Sequence, residues 1–226
     1  MAKLIKSIGH IKKRAFIWVG PINCGKDTQT DAHEELFGVP VFKTGPVLKD
    51  MAKRDPNNPT YEPIFKGGLV PDETVIWTAK KWILANTIHR DIHLNGCPRN
   101  VKQVGPIISF LIERGYGVYV IWFVTPIPVC LDFNLRPVRP GRELEDTPRN
   151  RATRMATYIW ETTPAAIEMC DRFGICEENH NMLFVDNSSI RKDETAGLIL
   201  QFMGLPFTGQ SLFPDKNQRR PALAIN

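Results

Sequence analysis

Seven consecutive residues, Val118 to Val124 (VYVIWFV), carry no charge and no turn signal. An unbroken β-branched and aromatic run suits a strand buried on both faces, the habit of parallel sheets, and does not suit a strand with one wet face. Four other apolar runs punctuate the chain: Ala15–Val19 (AFIWV), Val39–Phe42, Ile92–Leu94 and Met182–Val185. Between them lie segments with helical spacing. Val75, Ile76, Ala79, Trp82 and Ile83 fall on one face; Val101, Val104, Ile108 and Leu111 on a second, with Pro106 able to shift that helix's start; Met155, Tyr158, Ile159 and Thr162 on a third. Trp77 and Trp82 read as core aromatics. Strand and helix in alternation predict an α/β three-layer fold, a central parallel five-stranded sheet flanked by helices.

The first run leads into a loop that carries chemistry. After Val19 comes Gly20-Pro-Ile-Asn-Cys-Gly25-Lys26-Asp27-Thr28, then a polar, helix-like segment. A tight loop between strand and helix points backbone N–H groups inward at the helix N-terminus, where they cradle a polyphosphate while the lysine adds a point charge. The standard pattern places Ser or Thr directly after Lys; here Asp27 intervenes.

Composition narrows the partners. The net charge is +5 and no dense Lys/Arg run exists, which suits small anionic ligands better than nucleic acid. A nucleic-acid reading would have to rest on the basic ends, Lys3, Lys6, Lys12, Lys13, Arg14 and Arg219–Arg220, which read more simply as solvated surface. Five cysteines without a C-x-x-C pair predict reduced thiols in a cytoplasmic setting. Met1–Arg14 has no apolar core of a signal peptide, and the uncharged stretch Gly115–Leu131 is broken by Pro126 and Pro128, so neither export nor a membrane partner is expected. The five histidines show no metal spacing.

Six segments in order resemble the adenylate kinases and, more broadly, the nucleoside monophosphate kinases. Gly25-Lys26-Asp27-Thr28-Gln29 resembles G-K-G-T-Q, which explains the displaced Thr. Thr44-Gly45-Pro46-Val47-Leu48-Lys49 resembles T-G-D-M-L-R, and Gly68-Leu69-Val70-Pro71-Asp72-Glu73 resembles G-x-L-V-P-D-E. Leu94-Asn95-Gly96-Cys97-Pro98-Arg99 resembles L-D-G-F-P-R. Gly141-Arg142, with Glu145-Asp146, resembles G-R-x-D-D, and Arg154-Met155 through Tyr158 to Thr162-Thr163-Pro164 resembles R-L-x-x-Y and the T-x-P after it.

The resemblance implies a P-loop NTPase fold in one kinase domain over residues 1–204. Its core would comprise about 14–44, 90–135 and 147–204, its monophosphate-binding insert about 45–89, and its short lid about 136–146, with an irregular tail at 205–226. It implies phosphoryl transfer from ATP, with Mg²⁺, to a nucleoside monophosphate, most simply AMP, by a monomer with no covalent intermediate. A UMP/CMP-type kinase, or a catalytically weak nucleotide-binding module of the same fold, is the alternative. Phosphoryl transfer needs positioning and charge neutralisation, so the implied equipment is cationic: Lys26, Arg99, Arg136, Arg142 and Arg154 as catalytic groups. ATP would sit on Gly20, Asn23, Cys24, Gly25, Lys26, Asp27, Thr28 and Arg136. The monophosphate would meet Thr44, Gly45, Lys49, Leu69, Val70, Gly96, Arg99, Gln103, Arg142 and Arg154. A Gln amide both donates and accepts, so Gln103 can read an adenine edge, and with Thr44 it favours AMP. Arg149 and Arg151 match no motif arginine and are expected at the surface.

The departures from the family pattern that matter are Asn23 and Asp27 for loop glycines, Asn95 and Pro46 for acids, and Lys49 for Arg. No residue is expected to ligate metal directly. Asn95 and Asp27 are candidates to hold waters of the Mg²⁺ shell, Asp27 as a new acceptor. Asp91 cannot take the place of Asn95, because four strand residues put roughly 13 Å between them.

Overall fold

The computed structural model describes residues 13–61, 70–138, 143, 146–189, 191–206 and 211–213. Five strands form one parallel sheet in the order β2-β3-β1-β4-β5. They are β1 (Lys13–Val19), β2 (Val41–Lys43), β3 (Asp91–Asn95), β4 (Tyr116–Phe123) and β5 (Met182–Val185). All five were legible as apolar runs. Their ends move by at most two residues, because edge residues such as Lys13 and Asp91 pair through backbone without being apolar.

Alternate residues of β1 face opposite layers. Ala15, Ile17 and Val19 join a core with α3 (Asp72–Ala85), α4 (Val101–Glu113) and α7 (Thr163–Phe173). Phe16 and Trp18 join a second core with Ile121, Phe123, Val185 and residues of α8 (Lys192–Phe202). Both faces of β1 are thus dry, as its uninterrupted composition requires. The remaining helices are α1 (Lys26–Phe37), α2 (Thr44–Arg54), α5 (Ile127–Leu131) and α6 (Pro148–Thr157).

Several expectations are corrected. α4 starts at Val101 and runs straight through Pro106, capped by Asn100, whose side chain accepts from the Gln103 N–H at 3.2 Å. Pro106 lies on the exposed face, where water can serve the carbonyl that its missing N–H leaves open. Val101 is also exposed, so that stripe is carried by Val104, Ile107, Ile108 and Leu111. Trp77 is 55% exposed with the Lys81 ammonium 5.0 Å above its ring, not a core aromatic; Trp82 does pack on the core. The stripe from Met155 to Thr162 is interrupted, because Tyr158–Thr162 forms a π-helical turn between α6 and α7. The wider turn shifts the helical phase, so Met155 is buried while Ile159 and Trp160 face solvent. Part of the tail is docked: Leu212 is buried, and its N–H bonds the Asp193 carboxylate at 2.9 Å. No helix among the described residues is long and apolar enough to cross a membrane.

Candidate active site

The order β2-β3-β1-β4-β5 means that the chain after β1 winds first to one side and later to the other. Open parallel sheets bind ligands outside the carboxyl ends of strands at such a reversal. The loop of residues 20–25 lies there, between β1 and α1. Gly20 has φ +149°, and a side-chain carbon on it would lie 2.7 Å from the Phe123 Cβ, so the loop can leave the strand only through glycine. Asn23 takes φ +56°, as an Asn in place of glycine can. Lys26 opens α1 and folds back over the loop, donating from Nζ to the carbonyls of Gly20 (2.6 Å) and Pro21 (2.8 Å). The Cys24 Sγ lies 3.3 Å from the same ammonium. Thr28 follows in the first turn of α1.

One cleft gathers residues far apart in sequence. Its walls include Gly20, Asn23, Cys24, Gly25, Lys26 and Asp27 from the loop and α1, Asn95, Gly96 and Arg99 after β3, and Arg154 from α6. Trp18, Thr157, Tyr158 and Thr162 also line it, and sequence reasoning missed them as site residues. The π turn, which has no sequence signature, presents Tyr158 and Thr162 there. Burial lowers the Arg99 pKa, and the nearby Arg154 cation lowers it further, against the pull of Cys97 and Asp27. Both guanidinium groups line the same cleft, where their positive charge favours an anion. The neighbouring Cys97 thiol is pushed up to about 12 by burial, so it contributes no thiolate at neutral pH.

Asn95 donates from Nδ2 to the Asp27 carboxylate at 2.9 Å and lies 3.3 Å from Thr30 Oγ1. The amide at the end of β3 and the acid after Lys26 therefore form one unit. Asp91 is engaged elsewhere, by a fork from Arg14 that includes an Nε–Oδ1 bond of 2.9 Å.

On the β2 side, the Thr44 hydroxyl donates to the Gly96 carbonyl at 2.8 Å. A side-chain carbon on Gly96 would stand 3.1 Å from Arg99 Nη2, which fixes how closely backbone and guanidinium approach. Gln103 accepts from the Arg99 N–H at 2.8 Å and donates to Asp72 at 2.8 Å. Its amide is therefore oriented, with one N–H and one lone pair beyond these two bonds. Gly45, Pro46 and the half-buried Lys49 lie on α2. Val70 is buried in the core beside Leu48 and Val75. Leu69 and Arg142 lie outside the described residues.

Arg136 does not line the cleft. It sits beyond the loop, donating from Nη2 to the carbonyl of Asn187 at 2.7 Å. Asn187 itself carried no sequence signal. It is buried after β5, donates from Nδ2 to the Cys24 carbonyl at 2.6 Å, and accepts from Thr195 Oγ1 at 3.2 Å. Arg151, expected at the surface, is 1% exposed and paired through both arms with Asp146. Spacing alone could not reveal that Asp146 waits for it one turn away inside the fold.

A parallel five-stranded sheet with a glycine–lysine loop at the mouth of its central strand defines a P-loop nucleotide-binding α/β protein. The chain is 31% identical over 205 residues to adenylate kinase from Thermotoga petrophila, covering 76% of this chain and 91% of that protein. It is 30% identical over 162 residues to adenylate kinase from Methylobacterium nodulans, covering 66% and 80% respectively. A third relative, adenylate kinase from Sorangium cellulosum, is 26% identical over 154 residues, 68% of this chain and 69% of that protein. No protein-family model matches the chain. The chain belongs to the adenylate kinase family and is a nucleoside monophosphate kinase, an ATP-binding phosphotransferase.

Proposed function

We propose that the enzyme converts ATP and AMP to two ADP as a monomer. The observation that carries this reading is the convergence of Lys26, Arg99 and Arg154 on one cleft. The loop N–H groups and Lys26 would take the ATP phosphates, the ammonium exchanging the Gly20 and Pro21 carbonyls for phosphate oxygens. Arg99 and Arg154 would face the monophosphate and the transferring group, where their mutual repulsion turns into attraction for negative charge. Arg136 would add positive charge from beyond the loop, Arg142 from the short lid at 136–146, and Lys49 from the monophosphate-binding insert at 45–89. No covalent intermediate is needed, because in-line transfer between two held phosphates requires placement and neutralised charge.

AMP is favoured by the oriented Gln103 amide, whose remaining N–H and lone pair match an adenine edge, and by Thr44 at the start of α2. Magnesium fits the chemistry of the residues present. Among the described residues lining the cleft, Asp27 is the one carboxylate, and the Asn95 amide holds it at the loop. Asp27 and Asn95 would accept from water around the ion. The ion would supply charge neutralisation on the ATP phosphates.

The test is ADP formation from ATP with AMP, CMP, UMP or GMP, with and without Mg²⁺. A kcat/KM for AMP at least tenfold above the other three is expected. A preference for UMP or CMP overturns the assignment of AMP, and nucleotide binding without ADP formation overturns catalysis.

A further inference from the structure

The buried guanidinium of Arg151 does more than fill space. It forms a two-armed ion pair with Asp146, Nε–Oδ1 and Nη2–Oδ2 both 2.8 Å. Nη2 also donates to the Arg136 carbonyl at 2.7 Å, and Nη1 lies 3.4 Å from the carbonyls of Leu131 and Asp132. Its plane rests 3.6 Å from the centre of the Phe133 ring. Every one of these contacts except Asp146 belongs to the segment 131–136, which ends in Arg136. One side chain from α6 therefore grips the backbone that carries that arginine. Arg136 then reaches the Asn187 carbonyl, and the Asn187 side chain reaches the phosphate loop at Cys24. The Arg136 Nε is buried without a partner among the described residues. Buried N–H donors almost always find an acceptor, so this one is open to an oxygen that the described residues do not supply.

We propose that Arg151 is a positioning residue for phosphoryl transfer, which by gripping the 131–136 turn sets the Arg136 guanidinium beside the phosphate loop. The inference rests on the reading of Arg136 as a phosphate-directed cation given above. Stability alone does not account for a buried pair here, because apolar residues of similar volume often hold a fold equally well. What the guanidinium adds is a set of directed bonds onto one turn. Placement matters at this scale, since an error of about 1 Å can lower a rate by about 10²-fold.

The experiment replaces the pair by apolar side chains, Asp146→Leu with Arg151→Met, in the full chain and in an Arg136→Ala background. kcat and KM for both nucleotides are measured, with a thermal melt for each variant. In the otherwise unchanged enzyme kcat should fall about tenfold with both KM values within about twofold. In the Arg136→Ala background the same replacement should change kcat by less than about twofold, since the group it aims is gone. Equal losses in the two backgrounds, or no loss in either, overturn the inference. If Arg136→Ala alone leaves kcat unchanged, the role of Arg136 fails first, and that failure is read separately. Should the double replacement not fold, Arg151→Lys, which keeps the charge and loses the fork, goes through the same cycle with the same two outcomes.

Discussion

Truncating Asn187 should damage the phosphate loop without touching it covalently. The side chain is 5% exposed and makes two bonds, a 2.6 Å donation to the Cys24 carbonyl and a 3.2 Å acceptance from Thr195 Oγ1. Asn187→Ala leaves both partners unpaired inside the protein. An orphaned buried polar group costs about 1–3 kcal/mol, and the Thr195 hydroxyl can rotate towards another acceptor, so a total near 3 kcal/mol follows. The loop also loses the bond that fixes it, so part of the ordering must be supplied when ATP binds. That predicts an ATP affinity lower by about tenfold, or about 1.4 kcal/mol. Asn187→Asp sharpens the case. It keeps the acceptor for Thr195, loses the donor to Cys24, and sets a carboxylate against a carbonyl beside the triphosphate. ATP affinity should fall in the order wild type, Asn187→Ala, Asn187→Asp. Urea unfolding and calorimetric ATP titration measure the two quantities. If Asn187→Ala stays within about 0.5 kcal/mol of wild type and binds ATP equally well, the argument for a pinned loop fails.

Lys26→Ala should lower kcat/KM by about 10²–10³-fold in the ADP-forming assay, and unchanged turnover removes Lys26 from the phosphate site. Asn95→Asp should bring two carboxylates together where an amide now donates at 2.9 Å, destabilising the protein by about 2–4 kcal/mol in chelator. Millimolar Mg²⁺ should restore the melting temperature, and a melt insensitive to Mg²⁺ counts against Asp27 facing the ion. Burial lowers the His33 pKa from 6.5 to about 4, so the folded protein holds this ring neutral. The unfolded chain protonates first, so the contribution is complete above pH 6.5 and drains as pH falls towards 4, a difference of about 3 kcal/mol. His93, lowered in the same way and also buried, adds in the same direction. Urea midpoints should therefore fall across that window and fall less in His33→Phe; identical slopes would reject the burial account.

The strands and the loop were already set in the sequence, because each is written in consecutive residues. A doubly buried strand needs an unbroken apolar run, and a loop leaving it under Phe123 needs Gly20. Arg99 and Arg154 were legible as motif positions, and the fold brings both to the cleft that holds Lys26. Contacts between distant positions, by contrast, exist only once the chain has folded. Asn187 meets Cys24 across 163 residues, and Asn95 meets Asp27 across 68. Arg151 reads as surface charge until Asp146 and the carbonyls of Leu131, Asp132 and Arg136 surround it. Hydrophobic periodicity reports which face of an element is dry. A buried polar side chain obeys no period, because its place is set by one partner with matching hydrogen-bond geometry, and that partner becomes its neighbour only when the chain has folded.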